Sequence, residues 1–210
     1  MLQTEAAEGQ HERGGVPTTA IAARLGVSAA SATNMLKRLD DIGLVAHVPY
    51  KGARLSAAGL KIALEVVRHH RLLETYLSEA LGVPWDQVHA EAEVLEHVLS
   101  EDLEERIWAQ LGHPSSDPHG DPIPDKDGSI APSSPRRLWE VSGGDRAVVD
   151  RVSDLRAEGL RYLAGLGIRP GTSLEVVGRG PVGGPLFVRV EDGDGVGALS
   201  KELAEIVWVL

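Results

Sequence analysis

The chain has 210 residues, 21 Lys and Arg against 31 Asp and Glu, and no cysteine. That length suffices for more than one small domain, and the absent thiols exclude disulfides, thiolate metal sites and cysteine nucleophiles. No apolar run approaches the roughly 18 residues of a membrane span and no signal peptide opens the chain, so a soluble, cytoplasmic protein is expected. The formal charge of −10 is unevenly spread: residues 1–64 carry +2 and residues 65–210 carry −12. Contact with nucleic acid is therefore expected through the front end alone.

In chain order, PTTAIAARLG (17–26) predicts a short helix with Thr18 or Thr19 as N-cap, Ile21 and Leu25 one turn apart, and Gly26 as the stop. Ser28 caps a second helix over 29–43, whose Ala32, Leu36 and Leu39 face the first. Two short helices joined by a tight turn form a helix-turn-helix. The outward positions of the second helix are Ser28, Ala30, Ser31, Thr33 and Asn34, with Lys37 and Arg38 one turn on. Short hydrogen-bonding and methyl side chains followed by cations suit a helix that enters a major groove and anchors on phosphates. Residues 44–48 and 53–56 read as two strands around the turn 50–52, with Lys51 and Arg54 at the tip, which completes a winged helix.

Apolar residues then recur at helical spacing over 57–81 until Gly82-Val83-Pro84, and two further helices are predicted over 85–100 and 101–111. They carry more apolar surface than a monomer could cover, so a homodimer is expected, which would present two recognition helices to palindromic double-stranded DNA.

These helices hold the titratable residues. In RHHRLLE (68–74), His70 and Glu74 stand at i and i+4 while His69 points elsewhere. In HAEAEVLEH (89–97), Glu93, Glu96 and His97 stand at i, i+3 and i+4, with His89 one turn before Glu93. Such a stripe repels itself or protonates unless a cation sits within it, so a divalent metal is the leading reading. The same groups could serve as general acid and base. However, no nucleophile motif or phosphate-cradling loop accompanies them, and no residue is assigned a catalytic role.

Residues 113–137 are rich in Pro, Gly, Ser and Asp and read as a linker, with PHGDPIP (118–124) ordered against the helices. Its histidines, His113 and His119, neighbour prolines and are not expected to be ligands. Strands over 146–154, 172–180, 185–193, 197–200 and 205–210, with a helix over 155–166, suit a small closed barrel.

The order winged helix, RHHRLLE, VHAEAEVLEHVLSEDLEERI and PHGDPIP resembles the diphtheria-toxin-repressor and manganese-transport-regulator family of metal-dependent transcriptional repressors. The resemblance implies a multidomain, mainly α protein with small β elements. The expected parts are a winged helix over 1–64, a helical dimerisation and metal-binding domain with its linker over 65–135, and an SH3-like (FeoA-like) barrel over 136–210.

It also implies metal ligation by His70, Glu93, Glu96 and His97, and an ancillary site formed by His70, Glu74 and His89. His70 fits either set. Asp154 matches a position from which the barrel of long members donates a ligand, and Ala157 stands where a second donor would be. Iron-type members carry Cys where this chain has Glu93, and carboxylate oxygen suits a harder ion. Mn²⁺ is therefore expected first and Fe²⁺ next, with Co²⁺, Zn²⁺ or Cd²⁺ able to substitute in vitro, and no organic cofactor or membrane partner.

Members begin with a full helix that contributes a metal ligand. Residues 1–15 match only its last turn and a loop, so either translation starts upstream of Met1 or the switch works without that ligand, for which Glu5, Glu8, His11 and Glu12 are the nearby substitutes. Two rival readings are a winged-helix regulator of an organic ligand and a di-metal hydrolase.

Overall fold

The computed structural model describes residues 15–48, 52–191, 193 and 195–210. Lys51 and the acidic and histidine side chains before Gly15 lie outside them. The chain forms two compact units, residues 1–67 with 126–128, and residues 68–125 with 129–210. No helix among the described residues is long and apolar enough to cross a membrane.

In the first unit, α1 (Thr18–Leu25) and α2 (Ala29–Asp41) precede the antiparallel pair β1 (Val45–Val48) and β2 (Gly52–Leu55). Gly26 adopts φ +63 at the end of α1, where a left-handed residue stops a helix. Pro17, not a threonine, stands at the N-cap of α1 and provides no side-chain cap. Its fixed φ suits a helix entry, and Thr18 and Thr19 fall inside the first turn. Ser28 caps α2 as expected, its oxygen accepting from the Ser31 amide at 3.1 Å. Leu36, Val45 and Ala53 form the small core, with Ile21 packed on it, whereas Leu39 is exposed.

Helix α3 (Ala57–Glu79) begins in this unit and runs into the second. Gly59 lets it start against the wing, since a Cβ there would lie 1.9 Å from the Leu44 carbonyl oxygen.

In the second unit, the remainder of α3 packs with α4 (Val88–Leu95) and α5 (Glu101–Gln110) around Leu72, Leu73, Leu77, Val88, Ala92 and Ile107. The helix expected over 85–100 is shorter than predicted: Trp85 precedes it, and Glu96 and His97 occupy the turn beyond its C-terminus.

The C-terminal part is a five-stranded antiparallel sheet in the order β6-β5-β4-β3-β7. Its strands are β3 (Arg146–Val152), β4 (Ser173–Arg179), β5 (Leu186–Val190), β6 (Val196–Leu199) and β7 (Val207–Val209). Helix α6 (Ala157–Gly165) and the short α7 (Lys201–Glu205), which periodicity did not predict, flank it. Trp85 belongs to the same buried cluster as Leu138, Val149 and Leu160, so helices and sheet share a core within this unit.

Candidate functional site

Helix α3 buries its polar residues as well as its apolar ones: Arg68, His69, Arg71, Glu74 and Thr75 are all buried. Ions this deep require partners. Arg68 Nε reaches Glu104 at 2.5 Å and His69 Nε2 lies 3.1 Å from the other oxygen of that carboxylate. Arg71 donates to the Pro122 carbonyl and faces Asp117 and Asp121 at 3.8 and 3.6 Å. These bonds hold the PHGDPIP loop on α3. The loop is also fixed to β3 by the Val152 amide on the His119 carbonyl at 2.8 Å and by Arg151 on Asp121 at 3.4 Å. Gly120, at φ +89, permits that approach, because a Cβ would lie 2.2 Å from the Asp150 carbonyl oxygen.

The candidate metal ligands gather on this frame. Glu74 Oε1 lies 3.0 Å from His70 Nε2 and 3.2 Å from His89 Nδ1, and His89 Nδ1 lies 2.9 Å from Asp154 Oδ2. The donor atoms of His70, Glu74, His89 and Asp154 all fall within 4.8 Å of one another. Helices α3 and α4 supply three of them, and the segment after β3 supplies Asp154. Behind them, His70 Nδ1 contacts Glu96 Oε2 at 2.6 Å. A carboxylate at Nδ1 holds the proton there and leaves Nε2 as the ligand atom.

The charged groups of this cluster shift one another. Burial pushes the Glu74 carboxyl up, yet the imidazoles of His119, His70 and His89 around it hold it well below the ordinary range. The Asp154 and Glu74 carboxylates raise His89 to about 10. His119, although burial depresses it, is raised to about 9 by Glu74 and Asp117. Burial, Glu74 and Asp121 push Asp117 well up.

Glu93 and His97 do not join this set. Both are exposed, and His97 Nε2 lies 3.6 Å from Glu96 Oε1. The expectation that His89 stands beside them is corrected, since His89 turns toward α3 and Asp154. His119 was expected to be a bystander; it is wholly buried, with Nδ1 3.6 Å from Glu74 Oε2. Its proximity to Pro carried no hint of this. The only sequence signal was a histidine flanked by Asp117 and Asp121.

In the first unit, Ser28, Ala30, Ser31, Asn34, Lys37, Arg38 and Arg54 are exposed and Thr33 is half-buried. The Ser28 and Ser31 hydroxyls bond to each other at 3.1 Å and Thr33 donates to the Ala29 carbonyl at 2.7 Å. Among the described residues Asn34, Lys37 and Arg38 make no such internal bond, so these three project polar groups that are uncommitted within the fold.

Residues 8–53 match the iron-dependent repressor N-terminal DNA-binding domain, residues 56–125 the iron-dependent repressor metal-binding and dimerisation domain, and residues 136–210 the FeoA domain. The diphtheria toxin repressor of Corynebacterium efficiens is 30% identical over 177 residues, covering 79% of this chain and 77% of that protein. The chain belongs to the diphtheria-toxin-repressor and manganese-transport-regulator family. To this family of metal-dependent transcriptional repressors it brings the winged helix, the helical domain and the SH3-like sheet in one chain.

Another relative, the iron-dependent repressor IdeR of Mycobacterium leprae, is 38% identical, and the match spans 67% of this chain and 65% of IdeR. Among solved structures, a manganese-dependent transcriptional repressor in complex with manganese aligns with a TM-score of 0.88 at 40% identity, covering 100% of this chain and 97% of the other. ScaR with bound Cd²⁺ aligns at 0.81 and 29% identity, covering 100% and 96%.

Proposed function

We propose that the chain is a metal-responsive repressor, with Mn²⁺ as its co-repressor, that binds palindromic operator DNA as a homodimer in the cytoplasm and regulates metal-homeostasis genes. One observation carries the reading: a partly buried, sulfur-free set of two imidazoles and two carboxylates, His70, Glu74, His89 and Asp154, lies within 4.8 Å around the buried Glu74. Imidazole and carboxylate donors without thiolate suit Mn²⁺ and also accept Fe²⁺, while Co²⁺, Zn²⁺ and Cd²⁺ would bind in vitro according to the metal series. The residues fit such an ion. His119 Nδ1 is buried without a hydrogen-bond partner beside this set, and Glu96 orients His70 for ligation.

The division of labour follows the three parts, 1–64, 65–135 and 136–210. Ser28, Ala30, Ser31, Thr33, Asn34, Lys37 and Arg38 on α2, with Lys51 and Arg54 on the wing, read and anchor DNA. Glu93, Glu96 and His97 would form a second, more exposed metal set, with His70 serving one set or the other and not both at once. When bound, the ion supplies positive charge that neutralises the carboxylates and replaces the imidazole protons. His70, Glu74, His89 and Asp154 hold α3, α4 and the segment after β3 together, which shifts the population toward the DNA-binding dimer. The protein acts as a regulator rather than as a catalyst.

The test is binding of the full chain to its own promoter, titrated with Mn²⁺ and then with chelator. Binding with metal that the chelator reverses is expected, and Glu96→Ala should abolish the response while leaving the dimer intact. Indifference to the chelator would overturn the reading in favour of an organic effector.

A further inference from the structure

The two oxygens of Glu74 face different partners. Oε1 lies 3.0 Å from His70 Nε2 and 3.2 Å from His89 Nδ1, the set assigned to metal above. Oε2 faces His119 Nδ1 at 3.6 Å, beyond hydrogen-bond reach. That nitrogen has no hydrogen-bond partner, although His119 is 0% exposed. The other ring nitrogen is committed: Nε2 lies 2.7 Å from the Trp85 carbonyl, which only accepts, so Nε2 carries the proton. Stacking on Trp85, at 5.6 Å between ring centroids, holds the ring in place. With Nδ1 unprotonated the ring aims a lone pair at a carboxylate, an arrangement that a cation between them resolves in place of a proton.

Asp117 completes a second donor set. Its ligand atom lies within 4.8 Å of those of Glu74 and His119. Its Oδ1 accepts from the amides of His119 and Asp121 at 2.8 and 3.0 Å, which directs Oδ2 inward, 3.8 Å from Arg71 Nε. Arg71 divides its charge between Asp117 and Asp121.

We propose that the cluster is dinuclear: Glu74 bridges two divalent cations, one held with His70, His89 and Asp154, the other with His119 and Asp117. The inference rests on the metal-responsive reading. Carboxylate-bridged ion pairs stand about 3.5–4 Å apart, and a carboxylate with each oxygen turned to a different imidazole is the donor such a pair needs. The second ion would bind the PHGDPIP loop to α3 at the point where Arg71 already holds it.

Mn²⁺ alone is the probe. The metal-free full chain is equilibrated with Mn²⁺, bound metal is counted by mass spectrometry, and the same samples are examined by electron paramagnetic resonance. His119→Ala should bind one Mn²⁺ fewer per chain than the parent and lose the exchange-coupled signal, keeping an uncoupled one. Asp117→Asn, which conserves shape and covers a failure of His119→Ala to fold, should do the same. If His89→Ala removes cluster manganese while both of those variants keep the parent's content and spectrum, the dinuclear proposal is overturned and the metal-responsive reading stands. If neither His89→Ala nor Asp154→Ala changes the content, the reading fails and the proposal with it.

Discussion

Helices α2 and α3 both carry runs of polar residues and use them in opposite ways. On α2 the polar face is solvent-exposed; its hydroxyls close the helix cap, and Asn34, Lys37 and Arg38 stand exposed. On α3 the run from Arg68 to Thr75 is almost entirely buried and is neutralised by Glu104, by the PHGDPIP loop and by neighbouring imidazoles. An exposed polar face costs little and waits for a ligand that arrives whole. A buried one must balance its charge inside the fold, and where protein groups leave the balance to protons a metal can take their place.

The largest effect that would break this contrast is expected at Glu74, whose side chain is 1% exposed among three imidazoles. Glu74→Ala strands buried positive charge in the metal-free chain and should lower stability by about 3–5 kcal/mol. Denaturant unfolding with chelator present measures it, and a loss below about 1 kcal/mol would show that Glu74 does not neutralise the cluster.

Next is pH. His89 and His119 hold protons up to about 10 and about 9, against an ordinary value of 6.5. Groups raised in the folded state stabilise it fully below the unfolded value and lose that contribution as pH rises through the folded one. The melting temperature of the chelator-treated chain should therefore fall between pH 6.5 and 9. In excess Mn²⁺ the trend should weaken or reverse, because deprotonated imidazoles bind metal more tightly. Parallel curves with and without Mn²⁺ would sever the link between these histidines and the metal.

Smaller effects are expected on α2. Ser28→Ala removes the cap and should cost about 1 kcal/mol with Mn²⁺ content unchanged, as measured by thermal unfolding. Arg38→Ala should leave stability within about 0.5 kcal/mol and reduce the salt dependence of DNA binding by about one unit of slope. An unchanged slope would remove Arg38 from the DNA-contacting face.

The contrast between the two helices also sets what could be read in advance. The winged helix was legible because its determinants are local: Gly26 ends one helix, Ser28 caps the next, and Ala32 and Leu36 repeat at the spacing of a buried stripe. His70 and Glu74 were legible for the same reason, being one turn apart on one helix. Spacing along a presumed continuous helix misplaced His89 with Glu93 and His97, because α4 stops at Leu95 and its histidine faces α3. His119 was dismissed as a loop residue, because nothing in its neighbourhood shows that the loop folds onto α3 through Arg71.

By itself, the sequence determined the periodic elements, the charge division between front and body, a sulfur-free donor set and the family. Each depends on residues a few positions apart, or on composition. Only the tertiary structure decided which donors meet. Asp154 joins His89 because the segment after β3 is held against the helices by their shared core. His119 faces Glu74 because Gly120 and Arg71 fix its loop between α3 and β3. Those contacts join residues far apart in the chain, through packing and buried charge balance that no local pattern records.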